Sequence, residues 1–175
     1  MLSAYQTERL DIREWSADLG GPTEHPAFLK QLRSVLTSTV LAHLPEPLQI
    51  ETQGGDLEKW IEDRNAESTV LAVKSRKSGD LIGLLILAEF VDEDASATLH
   101  IGYLLGEQHW GQGYASELIA GVVCALREQG KPIRIVGGVE AGNPASARVL
   151  AKNDFKPIGD QGPGDNIMYA LDIVP

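Results

Sequence analysis

The chain has 175 residues, of which 43% are hydrophobic and 23% charged, and its formal net charge is −10 at pH 7. This length predicts one domain with its own core, and the negative charge argues against nucleic acid as a general partner. The single cysteine, Cys124, excludes an intrachain disulfide and favours a reducing compartment. The four histidines show no metal-ligand spacing, so we expect no metal site.

The charge and the apolar runs also bear on location and partners. Residues 1–15 lack the apolar core of a signal peptide, and no apolar run approaches the roughly 20 residues that span a bilayer. We therefore expect a cytoplasmic protein with no membrane partner. Residues 1–100 carry 17 acidic and 9 basic side chains, against 8 and 6 in residues 101–175. This acidic part would attract a cationic substrate, or it would simply be a solubilising surface.

The first part of the chain predicts one strand and two helices. Residues 7–15 alternate weakly, which favours a strand. Apolar residues at helical intervals predict one helix within residues 24–44, before two prolines end it. Residues 54–56, Gly-Gly-Asp, provide a turn and an N-cap for a helix over residues 57–64.

Three strand-like runs follow, at residues 68–75, 80–90 and 96–105. A turn at residues 77–79 separates the first two, and a charged loop at residues 92–94 separates the second from the third. Short turns between successive strands favour an antiparallel meander.

The last part of the chain alternates helices and strands. An apolar stripe predicts a helix over residues 114–129, which Gly130 terminates. A strand over residues 133–140 precedes a helix over residues 143–153, with Asn143 as N-cap and Pro144 in the first helical position. Short strands are expected at residues 155–159 and 166–174. The predicted fold class is therefore a mixed α/β (α+β) domain of three layers, with helices flanking a mixed central sheet.

Two glycines lie just before the helix at residues 114–129. The segment Gln108-His109-Trp110-Gly111-Gln112-Gly113, residues 108–113, is called the glycine loop below. A helix start offers unpaired N–H groups and partial positive charge, and glycine lets an anion approach the main chain. The loop lacks the Lys-Ser/Thr of a mononucleotide P-loop and the third glycine of the dinucleotide fingerprint. A mononucleotide-binding regulator, or a tight turn that binds nothing, remains an alternative.

The glycine loop, followed by Tyr114-Ala115, resembles the Q/R-x-x-G-x-G/A pyrophosphate loop of the GNAT acetyltransferase superfamily. Other segments resemble the RimJ/RimL-type branch of that family. They are Thr7-Glu8-Arg9-Leu10, Ile101-Gly102-Tyr103, Asn143-Pro144-Ala145-Ser146, Arg148-Val149-Leu150 and Asn153-Asp154-Phe155. The sequence departs from the family at Asp154, where a glycine usually ends the helix.

The resemblance implies a GNAT fold, in which the fourth and fifth strands splay apart to admit the arm of acetyl-CoA, and we place Gly137-Gly138 at that gap. It implies a set of acetyl-CoA-binding residues, with a main-chain N–H near Leu104 as donor to the reacting oxygen and Asn143 on the pantetheine arm. The cofactor-binding set is Leu104, Gln108, Gly111, Gln112, Gly113, Tyr114, Ala115, Asn143 and Ser146. Arg148 and Lys152 are candidates for the 3′-phosphate. A helix cap alone would also explain Asn143.

The sequence defines the catalytic residues less closely than the cofactor-binding residues. Ser146 is a candidate to protonate the departing thiolate. Many relatives carry a glutamate on the fourth strand, where this chain has no acid, so His100, Glu140 and Glu89 are the candidates for general base. A structural histidine and exposed strand-end charges are the alternatives.

The function implied is transfer of an acetyl group from acetyl-CoA to a primary amine by direct attack in a ternary complex. The amine would be a protein or peptide N-terminus, a polyamine or another cationic small molecule, and a homodimer is a further expectation. A catalytically silent acyl-CoA sensor is the alternative, because the strand-four acid is missing.

Overall fold

A computed structural model of the chain describes residues 2–19, 24–51, 54–91, 97–161 and 166–174. The strands are β1 (Ala4–Gln6), β2 (Leu10–Glu14), β3 (Thr69–Ser75), β4 (Leu81–Val91), β5 (Ala97–Leu105), β6 (Ile133–Glu140), β7 (Lys156–Gln161) and β8 (Asn166–Ile173). The helices are α1 (Ser16–Leu19), α2 (Glu24–Val35), α3 (Ser38–Leu41), α4 (Leu57–Glu67), α5 (Tyr114–Glu128) and α6 (Pro144–Lys152). Within the described ranges, the strands form one eight-stranded sheet with the order β1-β2-β3-β4-β5-β6-β8-β7.

The meander is confirmed, because β3, β4 and β5 pair as antiparallel neighbours. The helices predicted around residues 114–129 and 143–153 are confirmed as α5 and α6, and Asn143 caps α6 by accepting a 3.1 Å hydrogen bond from the Ser146 N–H. The charged loop predicted at residues 92–94 lies outside the described residues.

In the first part of the chain the predicted strand is confirmed, and the prediction of a single long helix is wrong. The strand predicted at residues 7–15 is present as β2, and β1 is an additional strand before it; in the turn between them the Thr7 N–H donates to the Leu10 carbonyl at 3.0 Å. The single helix within residues 24–44 is split into α2 and α3. Thr37 adopts an extended conformation between them, and its hydroxyl accepts from the Val40 N–H to start α3.

Two hydrophobic cores make the three predicted layers. One core fills the space between the sheet and the α5–α6 side, and it includes Leu118, Val122 and Leu150 from these helices. The other fills the α2–α4 side and includes Leu32 and Trp60. Alternate residues of a strand therefore face different helical layers. No helix in the described ranges is long and apolar enough to cross a membrane.

The predicted separation of two neighbouring strands is confirmed, although an extra short strand at the N-terminus makes them β5 and β6. Parallel pairing joins residues 98–100 of β5 to residues 134–136 of β6 and then ends. Beyond it, residues 101–105 and residues 137–140 form no ladder with each other, and this gap is called the splay. A Cβ at Gly137 would lie 3.5 Å from Ile101 Cγ1 and 3.3 Å from Leu150 Cδ1, so a side chain there would crowd the edge of the splay.

Candidate active site

The glycine loop leads directly into α5, and the main chain of the loop is exposed. Gly111 and Gly113 have φ values of 71° and 81°, which favour glycine over residues with a Cβ. Gly113 is the N-cap of α5 and provides no side-chain hydrogen bond to the first turn. The N–H groups that begin α5 therefore have no acceptor from their N-cap residue, and the helix dipole adds partial positive charge there.

Hydrogen bonds inside the glycine loop fix its shape. The Trp110 indole donates to the Leu105 carbonyl at 2.7 Å, and the Gln112 amide donates to the Gln108 carbonyl at 2.6 Å. The Gln108 side chain lies beside Gly106, 3.1 Å from where a Cβ would be. The Gln112 side chain thus braces the loop from within, and the Gln108 side chain packs against Gly106, which lies between β5 and the loop.

A cleft of about 470 Å³ runs past the glycine loop to α6 and to the segment after α3. This size falls within the usual range for small-molecule sites. Every predicted cofactor-binding residue lines it except Gln108 and Gln112. The lining also includes Arg148 and Lys152, which make no ion pair in the described part of the chain. The structure therefore brings together most of the predicted cofactor set and the predicted phosphate cations.

The register of β5 decides which main-chain groups face the splay. The Gly106 N–H donates to the Ile82 carbonyl of β4 at 2.9 Å, and alternate residues of an antiparallel strand repeat this direction. Leu104 therefore directs its N–H to β4, and a main-chain donor near Leu104 would be one of its two neighbours. The Leu105 carbonyl instead accepts from Trp110, on the side away from β4. The N–H groups of Tyr103 and Leu105 thus point to the splay.

A tyrosine–serine pair spans the cleft. Tyr103 Oη and Ser146 Oγ are 2.8 Å apart, which links β5 to the first turn of α6. Burial raises the pKa of the Tyr103 hydroxyl, and the hydrogen bond to Ser146 opposes this rise. Tyr103 therefore stays protonated at neutral pH and can hold or relay a proton at Ser146. Sequence analysis noted Tyr103 only as part of a family-like segment.

A histidine–glutamate pair lies at the edge of the cleft, although Glu140 itself is not among the residues that line it. His43 lines the cleft, and its Nδ1 is 3.6 Å from Glu140 Oε2. Their side chains are 39% and 50% exposed, so the pair is open to a substrate. The Trp110 ring lies beside the imidazole, with ring centroids 6.3 Å apart. Sequence analysis selected Glu140 but missed His43, because nothing in the spacing of the histidines relates it to β6.

The other two candidate bases lie away from the cleft. His100 is exposed where β5 and β6 still pair, and its ring packs edge-on against Phe90 with centroids 5.0 Å apart. Glu89 lines a separate cavity of about 110 Å³. Neither residue is among those that line the cleft. The described residues contain no group of three or more His, Cys, Asp or Glu side chains suited to a metal ion.

The fold and this cleft define a class of protein, and a comparison with known families identifies it. The family model described as Acetyltransferase (GNAT) domain matches residues 9–156. The chain therefore belongs to the GNAT acetyltransferase family, and it is an acyltransferase. A comparison with curated proteins finds no match.

Solved structures show the same fold. An acetyltransferase of the GNAT family from Bacillus anthracis is 19% identical, with a TM-score of 0.72 over 96% of this chain and 97% of that one. RimL, a ribosomal L7/L12 alpha-N-protein acetyltransferase in complex with coenzyme A, is 18% identical, with a TM-score of 0.69 over 98% of both chains. The microcin C7 self-immunity acetyltransferase MccE, in complex with acetyl-CoA and AMP, is 14% identical, with a TM-score of 0.64 over 94% of this chain and 92% of that one. The RimL fold is consistent with the resemblance to the RimJ/RimL-type branch.

Proposed function

We propose that the chain transfers the acetyl group of acetyl-CoA to a primary amine, with both substrates bound in the cleft. The observation that carries this proposal is that a single cleft extends from the β5 edge of the splay to the glycine loop. The glycine loop would hold the pyrophosphate through main-chain N–H groups at the start of α5. Gly111 fits this role, because a Cβ there would meet no atom within 4 Å and the main chain is accessible. Arg148 and Lys152 would bind the 3′-phosphate.

Acetyl-CoA supplies the acetyl group as a thioester: the amine nitrogen bonds to the carbonyl carbon, the C–S bond breaks, and the thiolate leaves with the electron pair and takes a proton. The Tyr103 or Leu105 N–H, which faces the splay, would stabilise negative charge on the carbonyl oxygen. Ser146 would give its proton to the thiolate while Tyr103, its partner at 2.8 Å, gives one to Ser146. The second proton that the attacking nitrogen loses, exchanged with solvent in the cleft that Tyr103 lines, would restore the Tyr103 hydroxyl. Asn143 would orient the cofactor arm beside them.

The amine would approach from the edge of the cleft where the pair of His43 and Glu140 lies. Strand alternation places Glu140 on the opposite face of β6 from Ile135 and Val139, which belong to the α5–α6 core. The amine would therefore enter from the other side of the sheet. Because Nδ1 of His43 faces Glu140, Nε2 is available to accept the proton that the ammonium group must lose. Glu140 would stabilise the resulting imidazolium.

We propose a cationic amine as the acceptor, in a cytoplasmic setting. The acid at this edge of the cleft and the acidic bias of residues 1–100 both favour a positively charged group. The neighbours have different acceptors by name, one of them a ribosomal protein N-terminus. Peptide N-termini, polyamines and other small cationic amines are therefore the panel to test.

An assay of thiol release from acetyl-CoA, with the acetylated product identified by mass spectrometry, tests this function. We expect release that depends on one class of cationic amine. His43→Ala should lower kcat/KM for the amine by roughly 100-fold, with partial recovery on addition of imidazole. His25→Ala is the matched control. His25 forms a similar pair, with its Nε2 3.6 Å from Glu58 Oε1, and it is not among the residues that line the cleft. Binding of acetyl-CoA without acetylation of any amine would contradict the proposal.

A further inference from the structure

The N-terminal part of the chain is tied to the start of α5 through Arg9, which lies in the turn between β1 and β2. The Arg9 guanidinium donates to the Gln112 carbonyl at 3.0 Å and to Glu117 Oε2 at 2.6 Å, and it lies over the Tyr114 ring, 4.2 Å from the centroid. The Arg9 main-chain N–H also donates to Glu117 Oε1 at 2.8 Å. One side chain thus contacts the glycine loop, the first residue of α5 and the end of its first turn.

The contact with Gln112 fixes the direction of the next amide. In a planar trans peptide, the carbonyl of one residue and the N–H of the following residue point in opposite directions. Because Arg9 holds the Gln112 carbonyl, the Gly113 N–H must point away from Arg9. Gly113 lines the cleft and Arg9 does not. This hydrogen bond therefore orients a main-chain donor of the glycine loop to the cleft.

The contact with Glu117 removes a charge conflict. Glu117 lies in the first turn of α5, next to the N–H groups proposed to hold the pyrophosphate. Burial acts to raise the pKa of the Glu117 carboxyl, but hydrogen bonds from Thr7 and Arg9, together with the Arg9 charge, lower it below its usual value. The carboxylate is thus ionised at neutral pH, and without a partner it would repel a bound anion.

We propose that Arg9 is a positioning residue for the pyrophosphate of acetyl-CoA. It aims the Gly113 N–H at the ligand and neutralises Glu117, so that the start of α5 accepts a doubly charged anion. This inference rests on the proposed binding of acetyl-CoA at the glycine loop. It assigns a function to the Thr7-Glu8-Arg9-Leu10 segment, in which Arg9 lies 103 residues before Gln112 in the sequence.

Calorimetry with CoA on four proteins tests the inference: the wild type, Arg9→Met, Arg9→Met/Glu117→Gln and Arg76→Met. We expect Arg9→Met to raise the Kd for CoA roughly tenfold, the size of effect seen for a partly buried charge at a helix terminus. Removing the unpaired carboxylate in the double variant should recover part of this loss. In turnover, Arg9→Met should raise KM for acetyl-CoA and leave KM for the amine unchanged.

Arg76→Met is the matched structural control. Arg76 supports the same turn by donating to the Thr7 carbonyl at 2.7 Å and the Glu8 carbonyl at 3.2 Å, but these bonds do not reach α5. An equal loss of CoA affinity in Arg76→Met would overturn the inference, because it would show that the turn alone matters. A Kd for Arg9→Met equal to that of the wild type would also overturn it. Failure of the folded wild type to bind CoA would instead overturn the proposed glycine-loop site itself.

Arg9→Lys keeps the inference testable if Arg9→Met does not fold. Lysine retains the charge but cannot hold the Gln112 carbonyl and Glu117 Oε2 together with one planar group. We expect a Kd for CoA between those of the wild type and Arg9→Met/Glu117→Gln. An affinity equal to that of the wild type would show that orientation of the Gly113 amide does not need arginine, and would overturn that part of the inference.

Discussion

Replacing Gly111 by alanine tests whether bare main chain at the start of α5 holds acetyl-CoA. Gly111 has a φ of 71°, and a Cβ there would meet no atom within 4 Å. The substitution therefore creates no clash but places an L-residue in the left-handed region, which costs about 1–2 kcal/mol. In a chain of this size that cost lowers Tm by about 2–8 °C. The added methyl group would also stand where the phosphate oxygens approach the loop.

Gly130→Ala is the matched control for this strain. Gly130 has a φ of 63° and equally open surroundings, but it lies just beyond the C-terminal end of α5. We expect both variants to lose a similar amount of stability in thermal unfolding. In calorimetry, Gly111→Ala should raise the Kd for CoA by roughly tenfold or more, which is about 1.4 kcal/mol, and Gly130→Ala should leave it unchanged. Equal affinities of the two variants would refute the reasoning.

Three further predictions follow from single contacts. Tyr103→Phe, which removes the partner of Ser146, should lower kcat roughly tenfold with an unchanged Kd for CoA; an unchanged kcat under conditions where chemistry limits the rate would exclude the relay. Asp154→Gly should stabilise the protein by about 1 kcal/mol in urea unfolding, because Asp154 has a φ of 67°; a loss of stability would contradict the strain. The folded-state pKa of Glu117 is lowered, so its contribution is present above the ordinary carboxyl pKa and is lost as pH falls through the folded value. The stability difference between the wild type and Glu117→Gln should therefore be larger at pH 7 than at pH 3. A difference that does not change with pH would argue against a lowered pKa of Glu117.

The elements that sequence analysis predicted correctly are those that local signals determine. The apolar stripe of α5 and the cap at Asn143 lie within single elements, and the structure has both. The left-handed residue after α6 was visible as a departure from the family, and Asp154 does adopt that conformation. The split at Thr37 was missed, because the apolar spacing continues through it and only the hydroxyl contact with Val40 starts a new helix.

The glycine loop was also a local signal, since its glycines and the helix that follows are contiguous. The groups proposed for proton transfer, in contrast, are not contiguous in the sequence. Tyr103 and Ser146 are 43 residues apart, and they meet only because the Tyr103 side chain lies on the face of the sheet that α6 covers. His43 lies outside every family-like segment named in the sequence, and it meets Glu140 only in the folded chain. The sequence therefore located the cofactor end of the cleft better than the acceptor end.

A titration of ¹⁵N-labelled protein with CoA, followed by amide chemical shifts, tests the central claim most directly. If the start of α5 holds the pyrophosphate, the largest shifts should occur at the N–H groups of Gly111, Gly113, Tyr114 and Ala115. Amides near the smaller cavity, such as that of Lys131, should barely move. Saturating CoA that shifts amides elsewhere and leaves those of the glycine loop unmoved would contradict the account.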